Sequence, residues 1–142
     1  MMKFINYIAF IIFMLFSFQT HAQRGKDGNK IITANTVVNE YTHLTSDALI
    51  GSSIITVNNN SLNSNSRFSG PLSAGDLIMI IQLQGATVTT GMNDTSWGQL
   101  QGYNHTGLYE FSQVKGVQAS NEIMLDCPLK NNYTAAAHTQ IL

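Results

Sequence analysis

The sequence has little of what holds most small exported domains together. Its 142 residues include one cysteine, Cys127, so no internal disulfide can form. Charged residues are only 11% of the chain. Beyond residue 22 the basic side chains are Arg24, Lys26, Lys30, Arg67, Lys115 and Lys130, set against eight acidic residues, with no basic stripe. Nucleic acid and anionic membrane surfaces, which need clustered Lys and Arg, are therefore poor partners. No apolar run reaches the ~20 residues of a membrane-spanning helix. No apolar stripe of helical period persists for three turns either, which argues against a helical fold.

Catalytic and metal-binding patterns are equally scarce. Ser52 and Ser53 follow Gly51 without the Gly-x-Ser-x-Gly context of a nucleophile elbow. Gly102 and Gly107 lack the strand-loop-helix setting of a phosphate loop. His43, His105 and His138 are scattered, with no second His or Cys two or four residues away. Asn93-Asp94-Thr95-Ser96 offers oxygens without the alternating acids of a calcium loop. Asp76 and Glu110 are candidates for a glycosidase-type carboxylate pair, but Asp76 already has a role as a turn former.

What the chain does contain begins with a leader. Lys3 precedes an apolar run over residues 7–18, and Thr20-His21-Ala22 places small residues where a signal peptidase requires them. This pattern predicts a cleaved signal peptide over 1–22, a mature start at Gln23, and a secreted or cell-surface location. No cysteine follows the cut, so a lipid anchor there is not expected. Residues 23–30 carry two glycines and half of the mature basic charge, and they read as a flexible lead-in to a β domain over 31–142.

Within that domain short apolar runs alternate with Gly, Asn and Ser clusters, the signature of an all-β chain. Strands are expected at 31–38, 41–44, 54–57, 77–83, 109–117, 122–125 and 138–142. The expected fold is a small antiparallel β-sandwich or partly open barrel with two long polar loops. Residues 58–66, rich in Asn and Ser, form the first loop. Residues 77–81 are apolar at both parities and predict a central strand covered on both faces. Ala74-Gly75-Asp76 supplies the turn before it. Ile123, Leu125, Cys127 and Leu129 share one parity, which places Cys127 in the core as a small hydrophobe.

The second loop, 85–107, holds five glycines together with Trp97, Tyr103, His105, Asp94 and Asn104. A loop of about twenty residues in a small β domain is uncommon and often binds something. Two readings compete for its aromatics. Trp97 and Tyr103 fold back as a lid over the core, the favoured reading, or Trp97, Tyr103 and Tyr109 form an exposed ligand platform.

Taken in order, several fragments resemble a known plan: Tyr41-Thr42-His43-Leu44-Thr45, then 48–57, then 72–86 around Gly75-Asp76, then Trp97-Gly98, 107–111 and 129–134. Together the chain resembles the N-terminal β module of large secreted, adhesin-like surface proteins of the type IX secretion and gliding-motility-associated class. The resemblance implies a signal peptide, this module, adhesive β repeats and a sorting domain, with the present chain the N-terminal part. It implies no catalytic residues and no cofactor, and its partners would be surface glycans or other cell-surface proteins. The resulting expectation is a non-enzymatic structural or adhesion module. The alternative is a carbohydrate-binding or accessory N-terminal domain of a secreted hydrolase.

Overall fold

The structure, a computed structural model, describes residues 27–91 and 95–142. The leader, the cut ahead of Gln23, and Asn93 and Asp94 lie outside the described residues. Residues 27–30 are exposed, and Ile31–Leu142 form a compact unit.

That unit is built on antiparallel pairing. The strands are β1 (Thr42–His43), β2 (Ile54–Thr56), β3 (Leu77–Gln82), β4 (Thr87–Val88), β5 (Leu100–Gly102), β6 (Tyr109–Gln118), β7 (Glu122–Leu125) and β8 (Thr139–Ile141). Six of them form one sheet in the order β1-β8-β3-β6-β7-β2, while β4 and β5 form a separate two-stranded sheet. The large sheet curls into a half-barrel. Its two edge strands meet at a bridge between Leu44 and Val57, where the Thr45 amide donates to the Thr56 carbonyl at 3.0 Å and the Asn58 amide to the His43 carbonyl at 3.0 Å. Curling lets one sheet enclose its own core, and the bridge protects both edges from open pairing.

Side-chain alternation decides what fills the barrel. Along β3, Ile78, Ile80 and Gln82 are buried, while Leu77 is exposed and Met79 and Ile81 are half-buried. Ile80 lies opposite Glu110 on β6 and Ile141 on β8; Ile78 lies opposite Ser112. Inward residues of the other strands, among them Ile55, Val114, Ile123, Leu125 and Ile141, complete the core. Leu62, Leu129 and Tyr133 enter it from loops. β3 is thus central as expected, but it is covered on one face only. A single curled sheet has no second layer, so of the two expected forms the structure takes the partly open barrel, and the outward residues of β3 stay at the surface.

Three other expectations are corrected. Residues 31–38 form no strand and are exposed; β propensity alone cannot hold a strand that has no ladder partner. Cys127 is exposed rather than in the core. β7 ends at Leu125, and Pro128, which has no amide to donate, follows three residues later, so the parity that pointed Cys127 inward stops before reaching it. The stretch 85–107 is not one long loop either, since it contains the β4–β5 hairpin.

Residues 58–66 are a loop as expected, tied down through its amides. Glu40, itself buried, accepts from the Asn65 backbone amide at 3.0 Å and from Asn65 Nδ2 at 2.8 Å, and pairs with Arg67 at 3.3 Å. Burial alone would raise the Glu40 carboxyl, but the bonds from Asn65 and Arg67 and the Arg67 charge outweigh it and hold the group below its ordinary value. A carboxyl lowered by folding contributes stability that is present above its unfolded pKa and is lost as pH falls through the lowered folded value. Glu40→Gln should therefore lower the melting temperature at pH 7 and narrow its gap to wild type as the pH is taken below about 4. Melting curves across that window test this, and a gap independent of pH would refute the clamp.

Candidate functional site

The hairpin formed by β4 and β5 is a mostly exposed arm separate from the large sheet, and its base is held by one buried amide. Gln82, the last residue of β3, is buried, and its Nε2 donates to the carbonyls of Gln84 at 2.9 Å and Asn104 at 2.8 Å. Its Oε1 accepts from the Thr134 amide at 3.2 Å, and its backbone carbonyl accepts from Gly107 at 2.8 Å. Asn104 Nδ2 returns a bond to the Gly85 carbonyl at 2.9 Å. Gly85 has φ +128°, and a Cβ there would lie 2.9 Å from the Asn104 carbonyl oxygen, so only glycine fits this junction. Farther out, the Thr89 amide donates to Gln99 at 2.9 Å and the Gly98 amide to Thr89 at 2.8 Å. The arm is therefore anchored at its base and zipped by its own backbone.

Trp97, in the turn beyond β4, is 68% exposed, and Tyr103, just after β5, is 70% exposed. The lid reading is thereby overturned. The core is already filled by Leu62, Leu129 and Tyr133, and Trp97 adds nothing to it. Tyr109, the third platform candidate, belongs to a different surface. It opens β6 on the outer face of the half-barrel, 57% exposed, and its ring meets Phe111 edge-to-face at 6.0 Å. The structure thus divides the expected platform into Trp97 and Tyr103 on the arm and Tyr109 on the sheet. Phe111, which sequence reasoning missed, joins Tyr109 through their shared parity.

The carboxylates are separated in the same way. Asp76 Oδ2 accepts from the Ser73 amide at 2.8 Å and from the Ser73 hydroxyl at 3.2 Å, closing the turn at Gly75, where φ is +94°. The Asp76 carbonyl accepts from Val114, which sets Asp76 beside that residue, four positions along β6 from Glu110. At ~3.4 Å per residue the two backbones are ~14 Å apart along the strand direction, whereas glycosidase carboxyl groups sit ~5 to 9.5 Å apart. Glu110 Oε2 accepts from the Lys130 amide at 3.1 Å. Its other oxygen and the buried Tyr133 hydroxyl have no direct hydrogen-bond partner. Burial first, and then the neighbouring Glu110 charge, push the Tyr133 phenol above its ordinary value and keep it neutral. Ser52 Oγ is occupied by the Ile54 backbone, donating to its carbonyl at 2.6 Å. Among the described residues no group of three or more His, Cys, Asp or Glu is placed to hold a metal ion, and no helix is long and apolar enough to cross a membrane.

No family model matches the chain. No curated protein matches it either. Solved structures similar to it include the Gp54 tailspike of the Acinetobacter baumannii bacteriophage AP22, determined in complex with A. baumannii capsular saccharide. That likeness has 19% identity and a TM-score of 0.44 over 72% of this chain and 14% of the tailspike. The tailspike gp61 of Pseudomonas phage phi297 shows 14% identity and a TM-score of 0.42 over 72% and 14%. The tailspike protein gp49 of Pseudomonas phage LKA1 shows 18% identity and a TM-score of 0.39 over 73% and 14%. The chain spans about a seventh of the length of these tailspikes.

Proposed function

We propose that this chain is a non-enzymatic adhesion module of an exported surface protein, and that the β4–β5 arm is its contact element. The observation that carries this reading is the exposure of Trp97 and Tyr103 on a hairpin anchored by the buried Gln82 amide. Large aromatics held in water on an anchored arm destabilise nothing and cover nothing, and such side chains are the usual anchors of recognition surfaces. The leader and the resemblance to N-terminal modules of the type IX secretion and gliding-motility class support export and display. The commitment of Asp76 to a turn, far along the sheet from Glu110, supports a role without catalysis. A carbohydrate-binding or accessory domain of a secreted hydrolase is the second reading, favoured by the same exposed aromatics.

The test is the double variant Trp97→Ala/Tyr103→Ala. Both side chains are exposed, so unfolding free energy should stay within ~0.5 kcal/mol of wild type. Adhesion of beads coated with the exported chain to bacterial cell surfaces should fall by about tenfold or more. Lost stability with unchanged adhesion would overturn the proposal.

A further inference from the structure

The outer face of the half-barrel carries a second apolar surface, and the register of the sheet assembles it. Across β8, β3 and β6, Leu142 pairs with Met79 through two backbone hydrogen bonds of 3.0 Å, and Met79 lies opposite Phe111. Tyr41, one residue before β1, continues the same row, because Thr42 lies opposite Ile141. The next row on this face is His43, Gln140, Ile81 and Tyr109. Leu77, opposite Gln113, extends the patch on the side of Phe111. Tyr41, Leu77, Tyr109 and Phe111 are each more than half exposed, and Phe111 stands at 60%.

We propose that this outer face binds a neutral glycan, with Phe111, Tyr109 and Tyr41 lying against sugar rings and His43, Gln140 and Gln113 bonding their hydroxyls. Three observations choose that occupant. The two rows hold no Lys, Arg, Asp or Glu side chain, so nothing in them compensates the charge of an acidic polymer. Four half-exposed large side chains present on the order of 400 Å². That is about half of the ~800 Å² each partner contributes to a stable protein pair. The middle of the patch also lies on β8 and β3, which are paired on both sides, so a peptide strand finds no free backbone edge at its centre to extend. What remains is a ligand recognised through apolar ring faces, with a few polar groups fixing its orientation. The proposal deepens the adhesion reading by giving the module a ligand class, but it rests on a different surface from the arm.

The test is native electrophoresis of the exported chain through gels cast with β-glucan, mannan, xylan or, as the acidic control, alginate. Retardation is expected in at least one neutral polysaccharide and not in alginate. Phe111→Ala and, separately, Tyr109→Ser should weaken that retardation about tenfold with unchanged melting temperatures. Leu49→Ala, an exposed apolar residue outside the patch, should leave it as it is. Retardation in alginate alone, or in none of the gels, overturns the proposal. So does a dimer in sedimentation that Phe111→Ala dissociates. Retardation lost in Trp97→Ala but kept in Phe111→Ala overturns the outer-face site and leaves the adhesion reading standing, whereas the bead assay alone decides the arm.

Discussion

Ile80→Asp should abolish the folded state. Ile80 has no exposed surface and sits at the centre of β3 between β8 and β6. A carboxylate placed there is desolvated, and its cross-strand neighbour is Glu110, which also points inward. Like charges directly opposite in an antiparallel pair repel, and the burial has no compensating partner. The cost is several kcal/mol against a total stability of ~5 to 15 for a domain of this kind. Ile80→Val, which removes one methylene, should cost only ~0.5 to 1.5 kcal/mol and keep the fold. Far-ultraviolet circular dichroism of the two variants decides it, together with hydrogen exchange showing the β3 amides among the slowest in wild type. A cooperative melt for Ile80→Asp near the wild-type midpoint would show that β3 is not the centre of the core.

Gln82→Leu should have the next largest effect. The substitution keeps the volume but leaves the carbonyls of Gln84 and Asn104 and the amide of Thr134 without their partner. These bonds are part-buried, so each group left without its partner costs toward the lower end of the ~1 to 3 kcal/mol of a fully buried one, and a few kcal/mol of stability should be lost in all. The loss should also be felt at a distance: amides of the arm, such as Thr89, should exchange faster than in wild type even though Trp97 and Tyr103 are untouched. Chemical denaturation and residue-resolved exchange measure the two effects. A variant as stable as wild type, with the arm still protected, would mean that the hairpin holds itself.

The strands that pair were readable because their alternation is local. Residues 122–125 and 54–57 show buried and exposed positions in turn, and the structure keeps those spans to within a residue. Where the reading failed, a local pattern was carried past the point at which a non-local partner was needed. Residues 31–38 have the composition of a strand and no neighbour to pair with. Cys127 shares the parity of Leu125, but the ladder has ended and Pro128 turns the chain. Apolar residues at both parities of 77–81 imply two covered faces, whereas a sheet curled on itself needs only one. The clamp of Glu40 by Asn65 and Arg67 spans about twenty-five residues through loops, and no spacing rule points to it. Of the candidate site, the aromatics were visible by type. Their division between arm and sheet was not, because it follows from the register that pairs Met79 with Phe111 and Ile81 with Tyr109.

The position of β8 constrains the order in which the molecule can come into being. This strand, the last of the sheet in chain order, is an interior member of it, held between β1 and β3. The contact of Thr42 with Ile141 closes a loop of about a hundred residues, and pairings of such long range place folding at the slow end for a domain of this size. Until residues 139–141 arrive, one side of β3 lacks its neighbour and β1 has no ladder partner. A nascent chain short of that point can pair β3, β6, β7 and β2, but it cannot join β1 to them or close the curl of the sheet.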